Sequence, residues 1–148
     1  MDALLEAAGK PVSADLYLEV QQFYAWQMRL LDDGLTAQWA QTFTEDGVFD
    51  ANGHPHPVQG RDKIAAGALA ARKALDEADI RHRHWLGMIT VTEQSDGDLL
   101  VRSYATVIEI PHGGKASLKF STVCEDLLVR VDGELKIRDR QVVRDDLR

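Results

Sequence analysis

The chain has 148 residues, 45% of them hydrophobic, and a formal net charge of −7, which fits one domain with its own core and argues against a nucleic-acid partner. It lacks an apolar run of the roughly 18 residues that a membrane-spanning helix needs, its acidic N-terminus lacks the basic start of a signal peptide, and its single cysteine, Cys124, excludes an internal disulfide. We therefore expect one cytoplasmic domain, residues 1–148, with no membrane partner.

The N-terminal part predicts a flexible tail over residues 1–11 followed by two helices. Ser13 suits the N-cap of the first helix, and Asp15 in its first turn suits the helix dipole. Gly34 is expected to end this helix. Thr36 can then begin a short second helix that carries Trp39 and Phe43. One face of the first helix collects apolar residues at steps of three and four, namely Leu16, Val20, Tyr24, Met28, Leu31 and Leu35.

The middle of the chain predicts a short strand, a loop and a third helix. The pair Asp46-Gly47 indicates a turn into a strand around Val48 and Phe49. Residues 52–57 contain two prolines and are expected to form a loop. The alanine-rich stretch over 61–77 has no proline and predicts a helix.

The C-terminal half predicts four long antiparallel strands, near 81–94, 98–111, 115–131 and 134–145. Asp96-Gly97, Gly113-Gly114 and Asp132-Gly133 separate them and are typical of hairpin turns. Helices followed by such a meander indicate an α+β fold. Helices packed on a curved sheet leave a cavity, and such cavities commonly bind ligands.

Two residues are candidates for acid–base chemistry. Asp32 lies at the end of the first helix, on the shoulder of its apolar face, and the alternative is a solvated helix end, which the neighbouring Asp33 favours. His84 shares a strand face with Leu86, Met88 and Thr90 by alternation. A histidine facing an apolar cavity can move protons near neutral pH, and the alternative is a core histidine bonded to the backbone.

Other polar residues carry weaker signals. His54 and His56 lie two apart in a proline loop, and no third ligand completes a zinc site, so we expect no metal. Cys124 has no identifiable base beside it and is interpreted as a core or pocket residue rather than a nucleophile. An inward-facing Arg140 could bind an anion or orient a carboxylate. Its alternation with Arg138, however, favours a surface ion pair.

Several segments in order resemble the SnoaL-like branch of the nuclear transport factor 2-like superfamily. They include Leu31-Asp32-Asp33-Gly34, Phe43-Thr44-Glu45-Asp46-Gly47-Val48-Phe49, Gly60-Arg61-Asp62-Lys63-Ile64, Arg83-His84-Trp85 and Arg140-Gln141-Val142-Val143-Arg144-Asp145. The resemblance implies a cone-shaped α+β fold, with N-terminal helices on a strongly curved, mixed but mainly antiparallel sheet that encloses a pocket. The branch includes polyketide cyclases, scytalone dehydratase and the β subunits of ring-hydroxylating dioxygenases.

Within this branch the chain is similar to scytalone dehydratase and to dehydratase/cyclase proteins of aromatic polyketide biosynthesis. That similarity implies a catalytic pair, Asp32 and His84, and a homodimer that uses the outer face of the meander. We expect a cofactor-free lyase or cyclase acting on a hydrophobic, polyketide-like substrate. The alternatives are a non-catalytic dioxygenase β-type subunit and a small-molecule binding module. The expected substrate-binding residues are Tyr24, Met28, Phe49, Leu86, Met88, Tyr104, Phe120, Cys124 and Arg140.

Overall fold

The computed structural model describes residues 11–148 and contains three helices and a six-stranded sheet. The tail predicted over 1–11 therefore lies almost wholly outside the described residues. The helices are α1 (Ala14–Asp32), α2 (Thr36–Ala40) and α3 (Arg61–Ala78), and a 3-10 turn covers Asp145–Leu147. The strands are β1 (Phe43–Ala51), β2 (Val58–Gln59), β3 (Ile80–Glu93), β4 (Leu99–Pro111), β5 (Ser117–Val131) and β6 (Glu134–Arg144).

The sheet has the order β2-β1-β6-β5-β4-β3. Strands β3 to β6 form the predicted antiparallel meander. Strand β1 joins it by pairing parallel to β6, and β2 pairs antiparallel to β1. The α+β class and the mixed, mainly antiparallel sheet are thus confirmed. Within residues 11–148, no helix is both long and apolar enough to cross a membrane.

Helix α1 begins and ends where its capping residues predict. The Ser13 hydroxyl accepts the backbone N–H of Leu16 at 3.1 Å and so satisfies one of the free donors of the first turn. The helix ends at Asp32, two residues before Gly34, whose φ is +78°. A Cβ at Gly34 would also lie 2.7 Å from the Arg72 guanidinium carbon. The positive φ therefore favours glycine at this helix end, and a side chain here would also displace the Arg72 guanidinium.

Strand β1 is longer than the sequence predicts. Phe43, expected in the second helix, is the first residue of β1 and pairs with Ile137 of β6. Both side chains are fully buried, so packing against the sheet decides the conformation here. The two-residue strand β2 was not predicted, because it directly follows the proline loop.

The sheet has a closed end and an open end. At the closed end, near the pairing of Glu93 with Leu99, the inward side chains form the apolar core with α1 and α2. At the open end, near the pairing of Ile80 with Pro111, the inward side chains face a cavity. The core members are Val20, Tyr24, Trp39, Ala40, Phe43, Ile64, Val91, Leu99, Val101, Leu128, Leu135 and Ile137.

Two predicted pocket residues, Met88 and Tyr104, point to the outside of the sheet. Met88 has a φ of +52°, and the β3–β4 register shifts between Gly87 and Thr90. This irregularity reverses the alternation, so Met88 is 78% exposed although Leu86 is partly buried. Tyr104 pairs with Gly87 on the outer face and is 59% exposed. Their placement in the pocket wall was therefore wrong.

Candidate functional site

A cavity of about 920 Å³ lies between the helices and the inner face of the sheet. This volume is within the range of small-molecule sites. The helical side of its wall comes from the end of α1, from α2 and from α3, and the sheet side comes from the open ends of the strands. Apolar members of the wall are Met28, Leu31, Trp39, Phe49, Val58, Ile64, Leu75, Ile80, Val107, Ile110, Phe120 and Val142.

Asp32 and His84 meet in the wall of this cavity. The Oδ1 atom of Asp32 lies 2.6 Å from Nδ1 of His84, and its Oδ2 atom accepts the backbone N–H of His84 at 3.0 Å. The side chains are 7% and 23% exposed, respectively. The predicted approach of the two residues is confirmed, and the interpretation of Asp32 as a solvated helix end is wrong.

Helix α3 fixes the end of α1 that carries Asp32. The Nη1 atom of Arg72 donates to the backbone carbonyl of Asp32 at 3.0 Å, and Nε of Arg72 lies 3.0 Å from Oδ1 of Asp76. A cation on the last carbonyls of a helix is favourable because these carbonyls have no helical partner. Arg72 thus holds Asp32 in place from outside the pair.

The geometry selects one tautomer of His84. An ionised carboxylate only accepts hydrogen bonds, so Nδ1 of His84 carries the proton that is shared with Asp32. The other ring nitrogen, Nε2, has no hydrogen-bond partner among residues 11–148. An imidazole held in this way can accept a proton at Nε2, while the carboxylate stabilises the imidazolium that results.

The other predicted pocket residues separate into two groups. Met28, Phe49, Phe120, Cys124 and Arg140 line the cavity.

Tyr24 and Leu86 do not line it; Tyr24 belongs to the buried core, and Leu86 packs against that core. Their periodicity identified buried positions correctly, but it does not distinguish a core position from a cavity wall.

Arg140 belongs to a buried polar network. Its Nε and Nη2 atoms donate to the two carboxylate oxygens of Asp126 at 2.9 and 2.8 Å, and Nη2 also donates to Gln27 at 2.8 Å. The hydroxyl of Tyr24 donates to Asp126 at 2.7 Å. Burial alone would lower the pKa of Arg140, but the charge and hydrogen bonds of Asp126 hold this pKa above its usual value.

The predicted surface ion pair at Arg140 is therefore wrong. Arg140 is 4% exposed, whereas Arg138 is exposed. The register between β5 and β6 shifts at Leu127 and Leu128, which puts Arg138 and Arg140 on opposite faces.

Burial also sets the protonation of two groups near this network. Burial raises the pKa of the Cys124 thiol, which leaves the thiol neutral and poorly nucleophilic at neutral pH. Burial, followed by the negative charge of Asp126, raises the pKa of Tyr24 well above its usual value. Tyr24 therefore stays a hydrogen-bond donor over the physiological range.

Two of the remaining histidines lie at the cavity edge. His54 and His112 are exposed residues of its lining, and His56 is exposed outside it. The part of the chain that the structure describes contains no cluster of three or more His, Cys, Asp or Glu side chains that could hold a metal ion.

The sequence analysis missed His82 and Glu109. His82 also lines the cavity, and its Nε2 atom lies 2.8 Å from Oε2 of Glu109, the residue directly opposite on β4. The hydrogen bond with His82 lowers the pKa of Glu109, and the charge of Lys119 lowers it further. Alternation with His84 was the available signal, because residues two apart on a strand share a face.

Comparison with known proteins agrees with this architecture. The sequence profile of the SnoaL-like domain matches residues 12–141. The structure of Aln2 from a Streptomyces species is 38% identical, with a TM-score of 0.87 over 93% of this chain and 96% of that one. ActVI-ORFA from Streptomyces coelicolor is 35% identical, with a TM-score of 0.83 over 90% of this chain and 97% of that one.

A relative of different description also matches. The terminal oxygenase component subunit beta 1 of terephthalate 1,2-dioxygenase from Comamonas sp. is 27% identical in an alignment that covers 86% of this chain and 90% of that protein. The profile match spans most of the chain, and the fold and cavity are those that the resemblance implied. The chain therefore belongs to the SnoaL-like domain family.

Proposed function

We propose that this protein is a cofactor-independent dehydratase or cyclase that acts on a polyketide-like intermediate of natural-product biosynthesis. One observation carries the proposal: the Asp32 carboxylate holds His84 through both its ring and its backbone, on the wall of a largely apolar cavity. The SnoaL-like family includes polyketide cyclases and dehydratases, and its members bind small hydrophobic ligands.

The proposed chemistry is proton transfer at carbon or at a hydroxyl. In a dehydration, Nε2 of His84 removes the acidic hydrogen beside a ketone, and Asp32 stabilises the imidazolium that forms. In a ring closure, the same nitrogen deprotonates the attacking group. Neither step requires a cofactor.

The apolar wall supplies binding and orientation. Met28, Phe49 and Phe120 offer contacts for a flexible aromatic chain, and holding its reacting ends together lowers the entropic part of the barrier. Arg140 presents a guanidinium already neutralised by Asp126. We therefore propose that Arg140 binds an oxygen of the substrate through a hydrogen bond rather than through a net charge.

The test uses a naphthyl β-hydroxy ketone, whose dehydration to the conjugated enone is followed by absorbance. His84→Ala should abolish most turnover, and Asp32→Asn should lower kcat by about 10²–10⁴-fold, the usual contribution of a proton-transfer group. The double variant should be little worse than the worse single variant, because the pair acts as a unit.

Each rate is normalised to folded protein, which is measured by circular dichroism. His56→Gln, in the exposed loop outside the cavity, is the matched control and should keep wild-type turnover. Turnover close to wild type in folded His84→Ala would defeat the proposed mechanism.

A non-catalytic role as a subunit is the second candidate, and the dioxygenase β-subunit relative supports it. A β-type subunit would use its outer surface to bind an oxygenase and would have no turnover of its own. Absence of turnover in the wild type, together with a stable complex with an iron–sulfur oxygenase subunit, would favour this candidate.

We further propose a homodimer through the outer face of the meander. Members of the family often form dimers, and this face exposes several large apolar side chains beside the Arg102–Glu125 ion pair. The side chains of Trp85, Met88, Tyr104 and Val143 are 73%, 78%, 59% and 41% exposed, respectively. The cytoplasmic location stays a prediction.

Charge on this face should separate the protomers. Tyr104→Lys should convert the dimer to a monomer in sedimentation experiments, because an unpaired charge would be buried at the contact. Trp26→Lys, on the exposed side of α1, is the control and should stay dimeric. A Tyr104→Lys protein that sediments like the wild type would exclude this interface.

A further inference from the structure

A second histidine–carboxylate pair lies on the same strand face as the first. His82 precedes His84 by two residues on β3, and Glu109 faces it across the β3–β4 register. The side chains of His82 and Glu109 are 19% and 20% exposed, respectively. Both histidines line the cavity.

The two pairs use opposite ring nitrogens. Asp32 binds His84 through Nδ1, whereas Glu109 binds His82 through Nε2. Each imidazole thus keeps one nitrogen without a hydrogen-bond partner within residues 11–148. An ion pair that only stabilises the sheet could lie on its outer surface. His82 instead lines the cavity, which favours a role in the cavity.

The spacing couples the two rings. Residues two apart on a strand are separated by about 7 Å, and two positive charges at that distance in a partly buried site repel each other. The cavity therefore favours one imidazolium beside one neutral imidazole over two imidazolium rings. Such a state supplies an acid and a base.

The other charges near His82 leave this arrangement intact. Asp76 is paired with Arg72, and Lys119 lies 4.0 Å from the Glu109 carboxylate. The remaining charged or titratable groups of this part of the wall are the exposed residues Asp79, Arg81 and His112.

We propose that His82, held by Glu109, is the second acid–base residue of this cavity and acts as the acid while His84 acts as the base. The proposal rests on the function proposed above. His82 lies two residues nearer the open end than His84, and its side chain is 19% exposed against 23% for His84, so solvent can restore the proton of either ring after each turnover.

The proton and electron balance of a dehydration is then complete. The C–H bond beside the ketone breaks, its proton goes to Nε2 of His84, and its electron pair forms the new C=C bond. The C–O bond of the hydroxyl breaks, and Nδ1 of His82 gives its proton to the leaving oxygen, which departs as water. One proton has moved from His82 to His84, and exchange with solvent resets both rings.

The kinetic test compares pH profiles on the naphthyl β-hydroxy ketone. His82→Gln should lower kcat by about 10²-fold and remove the alkaline limb of the profile, which reports the acid. Glu109→Gln should keep the limb but move it to lower pH, because the imidazolium loses its counter-charge. A purely structural role would change the melting temperature and leave both limbs in place.

A second measurement needs no substrate. In an NMR pH titration of labelled histidine rings, His82→Gln should move the titration of His84 to higher pH, because a neighbouring positive charge is gone; His56→Gln should not. An unchanged His84 titration together with an unchanged pH–rate profile would overturn the inference. If His84→Ala also keeps full turnover, the proposed function itself fails, so the two failures are distinguishable.

Discussion

Two buried carboxylates of the molecule bind nitrogen-bearing side chains to different effect. In the buried network, Asp126 and Arg140 are 3% and 4% exposed. In the cavity wall, Asp32 and His84 are 7% and 23% exposed. The carboxylates are similarly buried, so the difference lies in the nitrogen-bearing partner and in the nitrogen atoms that the carboxylate leaves free.

Arginine keeps its proton at every accessible pH, whereas histidine titrates near neutrality. Asp126 receives two hydrogen bonds from Arg140 and one from Tyr24, so no proton is left to move. In the cavity wall, Nε2 of His84 has no hydrogen-bond partner within residues 11–148. Burial alone therefore does not tell a stabilising pair from a catalytic one. The distinction depends on whether the nitrogen-bearing side chain keeps an atom that can still accept or donate a proton.

The largest effect on stability should come from breaking the buried network. Asp126→Ala leaves Arg140 buried without a counter-charge, which should lower the free energy of unfolding by about 3–5 kcal/mol. Urea unfolding at neutral pH measures this loss. Asp32→Asn keeps the shape of its side chain and should cost less stability, although it costs more activity per folded molecule.

A double replacement separates charge from packing. Asp126→Leu combined with Arg140→Met removes both charges and fills the space with apolar groups, which is often neutral for stability. The double variant should therefore be more stable than Asp126→Ala. If Asp126→Ala unfolds at the same urea concentration as the wild type, the buried pair does not stabilise the fold as described.

The sequence predicted the positions of the helices and strands better than it predicted which side chains point to the inner face of the sheet. The Ser13 cap and the glycine turns are local signals, and α1 and the four long strands appear within a few residues of their predicted positions. The faces depend on register. The positive φ of Met88 reverses the alternation in β3, and the shift between β5 and β6 buries Arg140.

The candidate site likewise contains residues that local sequence signals could identify and contacts that depend on register and packing. Asp32 and His84 were found from their places on a helix shoulder and a strand face, and from the family resemblance. The pairing of His82 with Glu109 could not be found, because it needs the β3–β4 register, which brings together residues 27 positions apart in the chain. The hold of Arg72 on Asp32 likewise depends on how α3 packs against the end of α1.

The smallest expected effect on stability concerns Tyr24 in the buried network. Tyr24→Phe removes one hydrogen bond to Asp126 and keeps the ring, which should lower the free energy of unfolding by about 2 kcal/mol near neutral pH. Because the folded-state pKa of Tyr24 is raised, the stability it contributes is present below the unfolded pKa of about 10 and is lost as the pH rises above that value.

The difference between wild type and Tyr24→Phe should therefore shrink with pH. Near pH 11, ionisation of Tyr24 in the unfolded chain alone should remove about 1.4 kcal/mol of the wild-type advantage. Urea unfolding of both proteins, at about pH 8 and about pH 11, measures the change, and the contributions of the other tyrosines and of Cys124 cancel in the comparison. A constant difference would mean that the hydroxyl ionises as readily in the folded protein as in the unfolded chain. The hydrogen bond from Tyr24 would then not hold Asp126 in place, and the contrast between this network and the Asp32–His84 pair would lose its physical basis.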